Sequence, residues 1–207
     1  VPLAGRDADV KVTAVVPTSS TDEAATIAGD ALSVQINATG RRHWDPNGAI
    51  LVTANGSTVG VSTYTVNNVQ GIVEFATTQN SSAVWTLDVE YLTATSVAGG
   101  REWGLTIDAD MFEVSTFGSS GWKQFQPNLN GANVTISRYW SDTNFTDYLT
   151  LESLFVVELT PNTASGSTSA RYEGFARVAS ANPTASVDAI VGESINLVVD
   201  GTLYYTT

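Results

Sequence analysis

Asp108 and Asp110 are the first residues in this sequence whose types and spacing could do chemistry together. They stand two apart in the alternating run from Trp103 to Met111, so in a strand both carboxylates project to one side. Paired carboxylates on one face are the equipment of glycoside hydrolysis. Nothing marks either one as a protonated acid, and the wet face of an alternating strand accounts for both. His43 is the single histidine, so any Ser-His-Asp system has to run through it. No Gly-x-Ser-x-Gly elbow accompanies it. Arg42, Trp44 and Pro46 surround it, and Asp45-Pro46 and Asn47-Gly48 read as a turn, which makes it a structural or surface histidine.

Asp142-x-Asn144-x-x-Asp147 partly matches a calcium loop but lacks its sixth-position glycine and terminal glutamate. Acidic residues at a helix N-terminus explain it more simply. The absence of cysteine excludes disulfides, thiolate metal sites and cysteine nucleophiles. No catalytic, cofactor or metal site is therefore expected. Five sequons, at Asn37, Asn55, Asn80, Asn133 and Asn144, barely exceed the roughly three that chance supplies, so glycosylation is not inferred. The five tryptophans raise carbohydrate binding. Trp85 and Trp103 sit on the apolar faces of their strands and read as core. Trp122 lies in a glycine-rich stretch with Phe117 and Phe125, where aromatic side chains point to a partner, either a sugar or another protein.

The elements that must position these residues are strands. Hydrophobic residues make up 43% of the 207, enough for a real core. Only 14% are charged, while 27 Thr and 20 Ser supply most of the polarity, as β structure with wet faces does. Runs at Val10–Val16, Leu32–Ile36, Ala49–Ala54, Thr63–Asn67, Val69–Ala76 and Val84–Leu92 alternate with period two. Thr18–Gly29 reads as a connection, and Asn55-Gly56 as a hairpin turn. Beyond Gly99-Gly100, the best boundary, comes the Trp103–Met111 strand. A loop is expected over Ser115–Gly131, with further strands at Val134–Ile136, Phe155–Leu159, Ala170–Ala179 and Ser194–Val199 and a turn over Pro161–Ser169. Phe145, Tyr148, Leu149 and Glu152 fall at helical spacing and predict one short helix near 143–154.

The net charge of −12 argues against a chain that grips nucleic acid. It is spread evenly, with four basic against nine acidic residues over 1–100 and five against 12 over 101–207. No stretch approaches the roughly 18 apolar residues of a membrane helix, so no membrane insertion is expected. Val1–Asp7 shows no signal-peptide h-region.

Two segments resemble the major tail (tail tube) proteins of long-tailed bacteriophages. One is Asp108–Lys123, DADMFEVSTFGSSGWK, similar to that family's strand entering an acidic, hydroxyl-rich, phenylalanine-containing loop. The other is the closing stretch RYEGFARVAS (171–180), PTASVD (183–188) and ESINLVVDGTL (193–203), similar to the family's last hairpin. The helix near Phe145–Leu154 falls where that fold places its own.

The resemblance implies a mainly β, tail-tube-like barrel or sandwich over 99–207, with residues 1–98 as an outer or accessory β unit. It implies hexameric rings stacked into a tube through which DNA passes. The partners would be other copies of the chain and the tail terminator, tape measure and baseplate proteins. The location would be the virion tail, after synthesis in the host cytoplasm. Phe117, Trp122, Lys123 and Phe125 would then contact the next ring, and Thr106, Asp108 and Asp110 would face the lumen. The alternative is a secreted or surface β-sandwich that binds carbohydrate through Trp122. A glycosidase built on Asp108 and Asp110 is the third reading.

Overall fold

Alternating valine, alanine and threonine make the chain mainly β, with one short helix. The structure, a computed structural model, describes residues 8–114, 122–161 and 170–206. In chain order the strands are β1 (Asp9–Thr13), β2 (Thr18–Ile27), β3 (Ser33–Ile36), β4 (Leu51–Ala54), β5 (Ser57–Thr58), β6 (Tyr64–Asn67), β7 (Ile72–Phe75), β8 (Trp85–Tyr91) and β9 (Ala94–Ser96). β10 (Gly100–Glu113), β11 (Phe125–Tyr139), the helix α1 (Asn144–Thr150), β12 (Phe155–Thr160), β13 (Arg171–Ser186), β14 (Ala189–Val199) and β15 (Tyr204–Thr206) follow.

The chain divides into two compact units. One is Val1–Val97 with Leu154–Phe175 and Tyr204–Thr207; the other is Ala98–Ser153 with Ala176–Leu203. A single cut between 98 and 99 therefore does not describe the organisation. Residues 154–175 return to the first unit because β12 pairs antiparallel with β1, from Asp9↔Thr160 to Val12↔Val157.

The first unit contains a seven-stranded sheet in the order β5-β4-β8-β2-β3-β7-β6. Its core gathers Val34, Ile36, Trp44, Val52, Val73, Trp85 and Leu87. Asn55 (φ 50°) and Gly56 (φ 76°) close the β4–β5 hairpin, as the dipeptide predicts. The expected connection over Thr18–Gly29 is instead largely a strand in mid-sheet, because β2 pairs with β8 on one side and β3 on the other. Its hydroxyl side chains hid it. A bulge at Asp22 (φ 54°) shifts its register, and the Asp22 N–H donates to Asp88 Oδ1 at 2.7 Å. The turn expected over residues 45–48 forms, with the Gly48 N–H on the Asp45 carbonyl at 3.0 Å, but the residues before it are not surface. Trp44 is fully buried, with its indole N–H on the Arg41 carbonyl at 2.8 Å.

The second unit is a sheet in the order β10-β11-β14-β13. Val134, Ile136, Ile195 and Leu197 are buried in it. α1 buries Phe145 and ends before Glu152, whose φ of 51° is left-handed, so the helix is shorter than 143–154. Arg138 anchors it. The guanidinium is buried, donating to Glu193 Oε2 at 2.6 Å and to Asp142 Oδ1 at 3.0 Å, and lies 4.8 Å from the Phe145 ring centre.

The loop expected over Ser115–Gly131 is shorter. β11 begins at Phe125, so Phe125 stands on a strand opposite Glu113. Pro127 and Gly131 read as loop punctuation, yet β11 pairs with β14 only over Asn133–Tyr139. At Pro127 the strand has β10 as its one described ladder partner, and a missing N–H is tolerated there. Likewise β13 runs through Pro183 to Ser186, so the PTASVD stretch begins within a strand.

Candidate functional site

β10 and β11 are 14 and 15 residues long, beyond the roughly 3–10 residues usual for strands. Near their base they belong to a packed sheet, with Trp103 and Leu105 half-buried and Val134 and Ile136 fully buried. Beyond Asn133 the β14 ladder stops, and the pair continues from Ile107↔Ala132 to Glu113↔Phe125. This outer portion exposes large apolar side chains among acidic and amide ones. Ile107, Met111, Phe112, Phe125 and Leu129 are each between 57 and 69% exposed. β10 is also a terminal strand of the sheet order, paired among the described strands with β11 alone. Long, apolar, open edges are hazards that a solitary protein usually blunts.

Thr106, Asp108 and Asp110 lie on this hairpin, and all three are exposed. Asp108 stands opposite Gly131, where an added Cβ would come within 3.2 Å of Asp108 Oδ1. The two carboxylates border a shallow depression of about 100 Å³ with Leu129, Asn130 and Gly131. That is well below the roughly 300 Å³ at which ligand pockets begin. Trp122 is 80% exposed. Lys123 Nζ donates to Glu113 Oε2 at 2.8 Å in an exposed ion pair. Phe117 lies outside the described residues. Val187, between β13 and β14, and Ile190, at the start of β14, are also strongly exposed.

His43 has a different setting, in the first unit. It is buried, with Nδ1 2.6 Å from the Val69 carbonyl oxygen and Nε2 3.5 Å from Glu158 Oε2. Gly71, at φ 63°, permits this seat, because a Cβ there would come within 2.8 Å of the Arg42 Cα. Burial pushes the Glu158 carboxyl up, but His43 and Lys11 beside it more than reverse that and hold it down at about 2. Glu173 is buried nearby and pairs with Arg171 Nε at 3.0 Å.

No family model matches the chain, and no curated protein does. Solved structures do match. One comes from the virion of a native gene transfer agent particle: TM-score 0.47, 12% identity, covering 55% of this chain and 89% of that one. Another comes from the tail of an empty gene transfer agent particle with C6 symmetry: TM-score 0.48, 12% identity, covering 56% of this chain and 87% of that one. Both particles are phage-like. The likeness is slight in sequence and covers about half of the chain.

Proposed function

We propose that the chain is a structural subunit of a phage-type tail, whose copies close into rings that stack as a tube. The observation that carries this reading is the outer β10–β11 hairpin, which exposes five large apolar side chains and whose β10 edge has no ladder partner among the described strands. A strand from a neighbouring copy on that edge would complete the ladder and cover Ile107, Met111 and Phe112. Trp122, Lys123 and Phe125, with Phe117, are the proposed contacts to the next ring. Six copies per ring follow from the resemblance of residues 108–123 and 171–203 to tail tube proteins.

Thr106, Asp108 and Asp110 are the proposed lumen wall. DNA carries one charge per roughly 1.7 Å of axis, so carboxylates repel a passing duplex where a basic wall would hold it. The subunit would reside in the virion tail, meeting terminator, tape measure and baseplate proteins, with no chemistry of its own.

Negative-stain microscopy of the concentrated protein tests the reading. Rings or tubes are expected, and they should be lost when Ile107→Lys or Phe112→Lys is introduced. A chain that stays monomeric at high concentration and changes its tryptophan fluorescence with glycans would instead be the carbohydrate-binding module.

A further inference from the structure

We propose that His43, Glu158 and Glu173 form a binding site for one divalent metal ion of the zinc class within the first unit. The Val69 carbonyl can only accept, so the 2.6 Å contact requires the proton on His43 Nδ1. In the neutral ring, Nε2 then presents a lone pair to Glu158 Oε2, 3.5 Å away. Either a proton on Nε2 or a metal ion would have to lie between these two atoms. A direct charge-assisted N–H···O bond would draw the atoms to about 2.7–2.9 Å. Two ligands bound at about 2.0–2.1 Å to a tetrahedral zinc ion are held roughly 3.4 Å apart. The observed His43–Glu158 separation matches the second arrangement, and the three-ligand set, which spans up to 4.8 Å, would draw together on binding.

Glu173 points to the same ion independently. Its side chain is 1% exposed. Oε1 is engaged by Arg171 Nε at 3.0 Å and by the Thr206 hydroxyl at 2.9 Å, while Oε2 is buried without a partner. One ligand atom from each of His43, Glu158 and Glu173 lies within 4.8 Å of the others. The outer groups are arranged as supporting partners of a metal site are: Val69 orients the imidazole, Lys11 Nζ holds Glu158 Oε1 at 2.9 Å, and Arg171 holds Glu173.

One imidazole with two carboxylates suits zinc better than the all-oxygen shells of calcium or magnesium. Lys11, Arg42 and Arg171 outnumber the two carboxylates. The ion is therefore held against local positive charge, and affinity should fall below that of thiolate sites. Its effect would be to clasp the His43 segment to β12 and the start of β13, independently of assembly.

The test uses the full chain, stripped with chelator and titrated with Zn²⁺ by calorimetry, with Co²⁺ absorption spectra as a second probe. One equivalent should bind and raise Tm, and Glu173→Gln and His43→Gln should bind at least about tenfold more weakly. Should those variants fail to fold, nitrogen NMR of wild-type His43 decides: Nε2 should shift on adding zinc while Nδ1 keeps its proton. No saturable uptake overturns the proposal. So does uptake undiminished in folded Glu173→Gln, or a His43 ring protonated on both nitrogens with zinc present.

Discussion

Arg138 sits at the junction of β11, β14 and the helix, and its charge is compensated by Glu193 and Asp142. Removing one member of a buried pair leaves the other unpaired. Arg138→Ala should therefore cost about 3–5 kcal/mol in denaturant unfolding, and Arg138→Lys should recover only part, lacking the fork that reaches both carboxylates. Asp142 adds a pH dependence. Its partial burial works against ionisation, but hydrogen bonds from Arg138, Ser141 and the Asn144 N–H outweigh this and hold the carboxyl below its usual range. That stabilisation is complete above the unfolded value of about 3.9 and is lost as pH falls through the lower folded value. The Tm gap between wild type and Asp142→Asn should be widest near neutrality and shrink in acid. Trp44 makes the opposite point about legibility. Beside His43, Asp45 and Pro46 it looks like part of a turn, yet it fills the core of the first unit, and Trp44→Ala should cost about 3–5 kcal/mol.

At the scale of elements, period-two runs located most strands, and Phe145 with Tyr148 located the helix. The misses share a cause. β2 carries hydroxyls where a sequence pattern looks for aliphatics, and the ladders to β3 and β8 satisfy its backbone. The outer part of β11 carries Pro127 and Gly131, which pairing to β10 accommodates. The β10–β11 hairpin is the element on which assembly should turn. Ile107→Lys and Phe112→Lys change exposed side chains, so unfolding free energy should move by no more than about 0.5 kcal/mol. Their effect should appear instead in sedimentation, as loss of the associated species. Variants that unfold the monomer would show that this surface packs internally.

For the whole molecule, the net charge of −12 matters through where it lies. If Asp108 and Asp110 line a DNA passage, tubes carrying Asp108→Lys and Asp110→Lys should release DNA more slowly, and the slowing should relax as salt rises. Normal release from such tubes would remove those residues from the wall.

Composition and alternation by themselves determined a mainly β chain with one helix, the Asn55-Gly56 hairpin and the exposed acidic side of β10, because these depend on neighbours two to four residues away. Only the tertiary structure decided that β2 lies in mid-sheet, that residues 154–175 join the first unit, that the large apolar side chains at the end of β10–β11 stay uncovered, and that His43 meets Glu158 and Glu173. Those facts depend on contacts between residues far apart in sequence, such as Ala25 with Trp85 and Asp9 with Thr160, or on the absence of a covering strand among the described residues, and no local spacing encodes either.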